Sequence, residues 1–446
     1  MKITKILVFL LLFGTTSYGQ KSIDFDGIND VVTTTSAGIT GIGNRTVELW
    51  LNTTQIQSTQ QVLVDMGNMA TGGRFTFNIR RNGNLRIEIG GNGFDGTANI
   101  ADGKWHHVAV TYDHRANPKA KIYVDGIVDV SGNFSVSTNT QSSPILLGRR
   151  NDNINYYKGA MDEVRIWSSA LAPSSLRDWM CKEINSNHIN FSTLHAYYKL
   201  DTLGGTVVRD YSGNGRTGTR SGATWKDNGG PVGTESAQKY GTGLSAFLKH
   251  SDGDSVKVTN VTGGAGGIHV YYRSGIPNKT GLPTGFSAID TSRHWGVHVI
   301  GGSNSRYNLS YHYSPNSHFK NYGGCSNDLL YRASNASATW LASTASITNG
   351  DLTLSGQPAR EYILGYTVSG KPVVTSKTGK DTVPSCDGDS VTLSNATSGF
   401  TYQWLRNGLT LNGDTMSTIK VVTAGNYSMI LSNGTTCNDT SNVLVV

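Results

Sequence analysis

Along residues 20–180, apolar and polar positions alternate with a period of two, interrupted by tight-turn residues. Phe75-Thr76-Phe77-Asn78-Ile79 leads into Asn82-Gly83, and Leu85-Arg86-Ile87-Glu88-Ile89 returns. Asn-Gly between two alternating runs predicts a hairpin, because both residues tolerate the positive φ of a two-residue turn. Ile122-Tyr123-Val124, Asp125-Gly126 and Ile127-Val128-Asp129-Val130 predict a second hairpin. Val47-Glu48-Leu49-Trp50-Leu51 and Val108-Ala109-Val110-Thr111-Tyr112 read as strands with one buried face. Only the stretch from Pro173 to Met180 looks helical, with Pro in the first turn. Further runs at Val256–Val258, Ile268–Tyr272, Trp295–Ile300 and Tyr307–Tyr311 extend the pattern. Many short strands separated by turns predict an all-β chain of sandwich or jelly-roll domains.

The first residues break this pattern. Lys2 and Lys5 precede the apolar run Ile6–Phe13, and Ser17 and Gly19 are the small residues a signal peptidase reads. Residues 1–19 therefore read as a signal peptide cleaved after Gly19, and the protein as secreted or held at the cell surface. That run is too short to span a bilayer, which needs about 20 residues, and no later stretch is apolar enough. The net charge of +7 includes Lys2 and Lys5. Acids and bases alternate along the rest, so no basic cluster predicts nucleic-acid binding. With 54 Gly, 10 Pro and 15% charged residues among 446, the composition is that of turn-rich β structure.

Several motifs carry a resemblance. Phe25-Asp26-Gly27 with Asp30, Thr46–Trp50, Asp102-Gly103-Lys104-Trp105-His106-His107 running into Val108–Tyr112, Tyr123-Val124-Asp125-Gly126, Leu146-Leu147-Gly148 and Gly159–Trp167 occur in that order. Together they resemble the laminin-G-like jelly rolls of the concanavalin A-like superfamily. The resemblance implies a two-sheet jelly roll over residues 20–180 that binds sugar or protein and is not itself catalytic. Residues 181–238 read as a connector or extension packed on that domain, and 239–370 as a second β-rich sandwich. Residues 371–446 resemble a bacterial immunoglobulin-like domain, with a strand at Ser390–Leu393, a core Trp404 and a tyrosine corner at Ala424-Gly425-Asn426-Tyr427. Met429 stands where the antibody pattern has its second Cys. Cys386 and Cys437 flank that core and are expected to pair across its edge, a link that contributes roughly 4 kcal/mol in the chain-entropy model. Cys181 and Cys325 receive no assigned partner.

The chemistry points to binding. Jelly-roll glucanases need alternate carboxylates on one strand face, a Glu-x-Asp-x-Glu row, and the chain has none. No Gly-x-Ser-x-Gly elbow is present, and Gly263–Gly267 lacks the Lys of a phosphate loop. The resemblance implies a structural calcium held by Asp162, with Asp26 or Asp30 nearby; the alternative is that these acids accept hydrogen bonds from turn backbone. On the jelly-roll rim, Arg149, Arg150, Asn151, Asp152, Asn155 and Tyr156 combine fork-shaped donors, amides and a ring on which a sugar can stack. His106 and His107 diverge as strand neighbours, so one is expected in the core and one outside. The expected function is binding or adhesion through carbohydrate or a surface polymer. The alternatives are a scaffold making only protein contacts, or a non-catalytic accessory part of a larger glycan-degrading protein.

Overall fold

The computed structural model describes residues 20–54, 59–202, 204–284, 286, 288–313, 327–348, 351–366, 374–376, 379, 382–386, 389–395, 401–432 and 438–446. The proposed signal peptide, Cys325 and Cys437 lie outside these residues, so the expected Cys386–Cys437 link does too. Cys386 is exposed, with no sulfur partner among the described residues.

The jelly roll is built from β1 (Ser22–Asp26), β2 (Val31–Ala37), β3 (Arg45–Asn52), β4 (Gln61–Gly67), β5 (Arg74–Ile79), β6 (Asn84–Glu88), β7 (Gly93–Asn99), β8 (Trp105–Tyr112), β9 (Ala120–Val124), β10 (Ile127–Gly132), β11 (Pro144–Leu147) and β12 (Lys158–Trp167), of which β3, β5, β6, β8, β9 and β10 fall where the alternation predicts strands. Both predicted hairpins are present. Asp125 and Gly126 take φ of 51° and 74°, the positive pair that a type I′ turn requires. The helix α1 (Pro173–Trp179) follows, with Pro in its first turn. Residues read as an extension supply four further strands: β13 (Leu194–Tyr198), β14 (Val207–Val208), β15 (Gly218–Ser221) and β16 (Thr224–Lys226). They complete two antiparallel sheets, ordered β10-β9-β8-β3-β12-β1-β16, with β13 also on β12, and β14-β15-β2-β11-β4-β5-β6-β7. Val47, Leu49 and Leu51 meet Phe75, Phe77 and Ile87 in the core between them.

Residues 235–366 build a second sandwich from β17 (Glu235–Tyr240), β18 (Ala246–Lys249), β19 (Ser255–Thr259), β20 (Gly267–Ser274), β21 (Ala288–Ile289), β22 (Arg293–Ile300), β23 (Tyr307–His312), β24 (Asn327–Arg332), β25 (Leu341–Ala342), β26 (Ser346–Thr348), β27 (Asp351–Gln357) and β28 (Arg360–Tyr366). One sheet runs β17-β20-β22-β28-β24-β25, the other β18-β19-β23-β27-β26. Residues 374–446 form two smaller sheets around Trp404, where Tyr427 Oη donates to Thr423 O at 2.7 Å.

Period-two alternation explains how the two large sandwiches join. In β20, Ile268, Val270 and Tyr272 enter that sandwich's own core. Tyr271 instead joins Trp50, Met180, Cys181, Val232 and Ile300 in a separate apolar cluster between the domains. Trp50 is fully buried there; its Nε1 donates to Met180 O at 2.8 Å, and its ring meets His298 edge-on, centroids 5.2 Å apart. Gly230 allows the approach, since a Cβ there would lie 2.8 Å from Trp50 Cγ; within the second sandwich, Gly296 opposite Tyr271 leaves room for its ring, 2.1 Å from where a Cβ would stand. Beside this cluster, Arg273 donates to Glu183 Oε1 at 3.2 Å and to Asp201 Oδ2 at 3.0 Å.

Removing the guanidinium would leave the mostly buried Asp201 without its cation and Glu183 with Lys199 alone, at 2.7 Å, a class of change that costs about 3–5 kcal/mol. Arg273→Ala is therefore expected to lower Tm by roughly 10 °C, given about 2–4 °C per kcal/mol for units of this size. Scanning calorimetry of the full chain checks this, and an unchanged Tm would show that the ion pairs do not hold the junction.

Candidate functional site

The predicted rim loop lies between β11 and β12 and folds down onto the outer face of the second sheet. Arg150 donates from Nε and Nη2 to Asp152 Oδ1 and Oδ2 at 2.8 and 2.7 Å, a fork closed within the loop. Arg149 is bonded to Asn153 and to Arg150 O. Asn151 donates from its backbone N to Asp65 Oδ2 at 3.0 Å and from Nδ2 to Gly67 O at 2.8 Å. The Asn155 carbonyl accepts from Val62 N at 2.9 Å, with Asn155 at φ 60°. Tyr156 is half-buried, and its neighbour Tyr157 is fully buried. The six residues are thus brought together, but their hydrogen bonds close within the loop, through Arg149, Arg150 and Asp152, or fasten it to β4, through Asn151 and Asn155.

The anchor of this loop is Asp65, which is buried and receives bonds from Thr76 Oγ1 and Asn151 N. Burial pushes its carboxyl up to about 7, against those hydrogen bonds and the charges of Arg74 and Arg150. A carboxyl whose folded-state value is raised binds its proton more tightly when folded, so its contribution to stability falls as pH rises from about 4 to 7. Asp65→Asn should flatten the decline of Tm over that interval relative to the wild type. Thermal melts at intervals of one pH unit check this; identical slopes would refute the assignment.

The three acids implied as calcium ligands do not form one site. Asp26 accepts from the backbone N of Ile28 at 2.8 Å, and Asp30 accepts from the backbone N of Asp26 at 2.7 Å. Asp162 is fully enclosed at the domain junction, where it accepts from Gly230 N at 2.8 Å and Glu163 N at 2.9 Å. Strand register puts Ala160 opposite Asp24 and Lys158 opposite Asp26. Asp162 therefore lies four residues along from Asp26, about 13 Å away, whereas calcium–oxygen bonds are about 2.3–2.6 Å. Among the described residues no group of three or more His, Cys, Asp or Glu side chains is arranged to hold a metal. EGTA is expected to leave Tm unchanged; a fall of several degrees would show that one of these turns holds an ion.

Glu48 and Glu163 are locked away from any cleft. Glu48 accepts from Trp167 Nε1 at 2.8 Å, and Glu163 from Arg165 Nη2 at 2.7 Å and Tyr197 Oη at 2.5 Å. The two neighbours His106 and His107 do face opposite sides, but neither enters the jelly-roll core: His107 is buried beside Glu48 and Trp50 on the outer face of the sheet, its Nε2 3.1 Å from Oε2, and His106 is partly exposed at the end of the core-facing row.

A different constellation opens at the start of β8, where a hollow of about 820 Å³ lies between the jelly roll and the second sandwich. The half-buried Trp105 lines it, with Nε1 donating to Asn228 Oδ1 at 3.3 Å. His106 sits between two acids, Nδ1 2.8 Å from Asp125 Oδ2 and Nε2 3.1 Å from Asp102 Oδ1. Burial opposes its protonation, but the bonds and charges of Asp125 and Asp102 outweigh this and raise its pKa. Asp125 is itself fixed by His107 N at 2.9 Å. Asn52 donates to Gly103 O at 2.7 Å. From the second sandwich come Tyr271, His298, Asn335 and Arg360. Arg360 lies over the Tyr331 ring at 4.0 Å and donates to Gln357 Oε1 at 2.8 Å. Sequence reasoning singled out Trp105 and His106 as strand residues within a family-like motif, not as site residues, and missed Asn228, Asn335 and Arg360, which follow no motif.

Residues 26–177 match the Laminin_G_3 family, described as the concanavalin A-like lectin/glucanases superfamily. No curated protein matches the chain. Among solved structures, a Bacteroides ovatus protein assigned as carbohydrate binding is 24% identical, with a TM-score of 0.40, and covers 49% of this chain; this chain spans 62% of that protein's length. Domains LG4-5 of the mouse laminin alpha1 chain are 13% identical, with a TM-score of 0.30, covering 91% of this chain and 94% of theirs. The CBM40 of a Ruminococcus gnavus IT-sialidase, bound to alpha2,3 sialyllactose, is 16% identical, with a TM-score of 0.28, covering 35% and 94%. Through the match over residues 26–177, the chain carries a laminin-G-like domain of the concanavalin A-like lectin/glucanases superfamily.

Proposed function

We propose that this is an exported protein that binds carbohydrate or a carbohydrate surface polymer without cleaving it, with the Trp105 corner of the jelly roll as the contact. The observation that carries this reading is the convergence of a half-buried indole, the amides of Asn52 and Asn228 and the His106 clamp on one hollow. Sugar rings offer an apolar face to an aromatic side chain and a rim of hydroxyls to planar amides. Volumes of about 300–1,000 Å³ are usual for small-ligand sites. The order of basic, apolar and small residues in 1–19 supports export. Absence of catalysis is supported by the enclosure of Glu48 and Glu163 and by the lack of an acid row on any strand face. Residues 371–446 act in this reading as an immunoglobulin-like module that displays the binding unit.

The chain without residues 1–19 should be retained on a subset of insoluble plant or bacterial polysaccharides and should release no reducing sugar from them. Retention by none of a broad panel would refute the proposal, and steady release of reducing ends would refute its non-catalytic part.

A further inference from the structure

The hollow beside Trp105 has two parents. Its near wall is jelly roll, whereas Tyr271, His298 and Arg360 on its far side belong to the second sandwich. Asn52 and Asn228 also line a second hollow of about 570 Å³, which lies between Asp24, Asp26, Lys158 and Lys226 at the jelly-roll edge. The two hollows therefore adjoin at a saddle of two amides.

That saddle retains hydrogen-bonding capacity. Asn52 uses Nδ2 on Gly103 O and Asn228 uses Oδ1 on Trp105 Nε1, leaving Asn52 Oδ1 and Asn228 Nδ2 without a partner among the described residues. One acceptor and one donor fit neighbouring hydroxyls, each of which both donates and accepts. At the lip, Arg360 has no carboxylate partner among the described residues, and its plane is held by Tyr331.

The charges balance. In the first hollow Asp102, Asp125 and Glu361 stand with Lys104, His106 and Arg360. In the second Asp24 and Asp26 stand with Lys158 and Lys226. Most are already paired: Lys104 with Asp102 at 3.1 Å, His106 with both its acids, Lys226 with Asp24 at 3.4 Å, and Glu361 with Arg332 at 2.6 Å. A polyanion would meet no surplus positive field to draw it in. A neutral chain loses nothing by that balance.

We infer that the two sandwiches form one composite site for a neutral polysaccharide, whose chain crosses the Asn52–Asn228 saddle with successive sugars in the two hollows. This rests on the carbohydrate reading above. It adds that residues 235–366 are half of the site rather than a spacer, and that hydroxyl pattern rather than charge selects the ligand.

Affinity gel electrophoresis of the full chain tests it, with laminarin and galactomannan as neutral probes and alginate as a polyuronate. Retardation by at least one neutral probe and none by alginate at 0.15 M salt is expected. Asn228→Ala and Arg360→Ala should each weaken the retardation about tenfold. Among the described residues the side chain of Arg360 meets only Tyr331 and Gln357, so its loss should lower Tm by no more than a few degrees and thereby separate binding from folding. Arg150→Ala, in the loop on the other sheet, should change nothing. Neutral-probe retardation undiminished in both cleft variants would overturn the composite site while leaving carbohydrate binding intact. Stronger retardation by alginate would overturn the neutral class, and retardation by no probe would remove the carbohydrate reading itself.

Discussion

The arrangement depends on how one tryptophan and one arginine are enclosed where the jelly roll meets the second sandwich. Trp50 projects from the outer face of β3 and is fully covered, with its N–H satisfied by Met180 O. Arg273 projects from β20 in the opposite sense and ends among Glu183 and Asp201. Each would be costly if the other domain moved away: the indole would expose a large apolar surface, and Asp201 would lose its cation while Glu183 kept only Lys199. The junction is therefore a fixed corner, and a fixed corner makes the adjacent hollow a defined shape. Asn335 reinforces it, donating to Gln20 Oε1 at 2.9 Å and Gly229 O at 3.0 Å and accepting from Gly229 N at 3.0 Å.

Local patterns in the sequence were sufficient for the strands and hairpins, because period two and positive-φ turn pairs are short-range consequences of backbone sterics. Asp125-Gly126 is an example; at Asn82-Gly83 only Gly83 takes positive φ, 83°, in a turn that runs from Arg80 to Gly83. The domain junction was not legible for a related reason. Alternation in β20 separates Ile268, Val270 and Tyr272 from His269, Tyr271 and Arg273, but a polar face reads the same whether it meets water or another domain. One signal was available: a Trp at position 50 on the face shared with Glu48 is unusual for a solvated surface. Burial of both residues, together with Arg165, shows that this face of the jelly roll is covered.

The candidate loop from Arg149 to Tyr156 shows the limit of reading chemistry from residue types. Arginines, amides and a tyrosine do suit a sugar, but the same groups suit one another. Arg150 closes on Asp152 two residues away, and Asn151 is drawn down onto Asp65, a partner that no local pattern indicates. The acids near the N-terminus behave in the same way, since Asp26 and Asp30 accept from backbone within their own turn. Separation along β1 and β12 then keeps Asp162 apart from them.

What distinguishes the Trp105 corner from these sites is the origin of its groups. Asn52 comes from the end of β3, His106 from the start of β8, Asn228 from the segment leading into the second sandwich, and Arg360 from that sandwich itself. Groups drawn from separate elements cannot all satisfy one another, because the strands that carry them are already held by their own sheets. A donor and an acceptor are consequently left facing open space, in positions set by rigid neighbours rather than by a mobile loop. Preorganised groups of this kind lose little freedom when a ligand binds, so each hydrogen bond contributes more of its strength to affinity. The same rigid junction that hid the site from local sequence patterns is therefore what makes it suited to recognition.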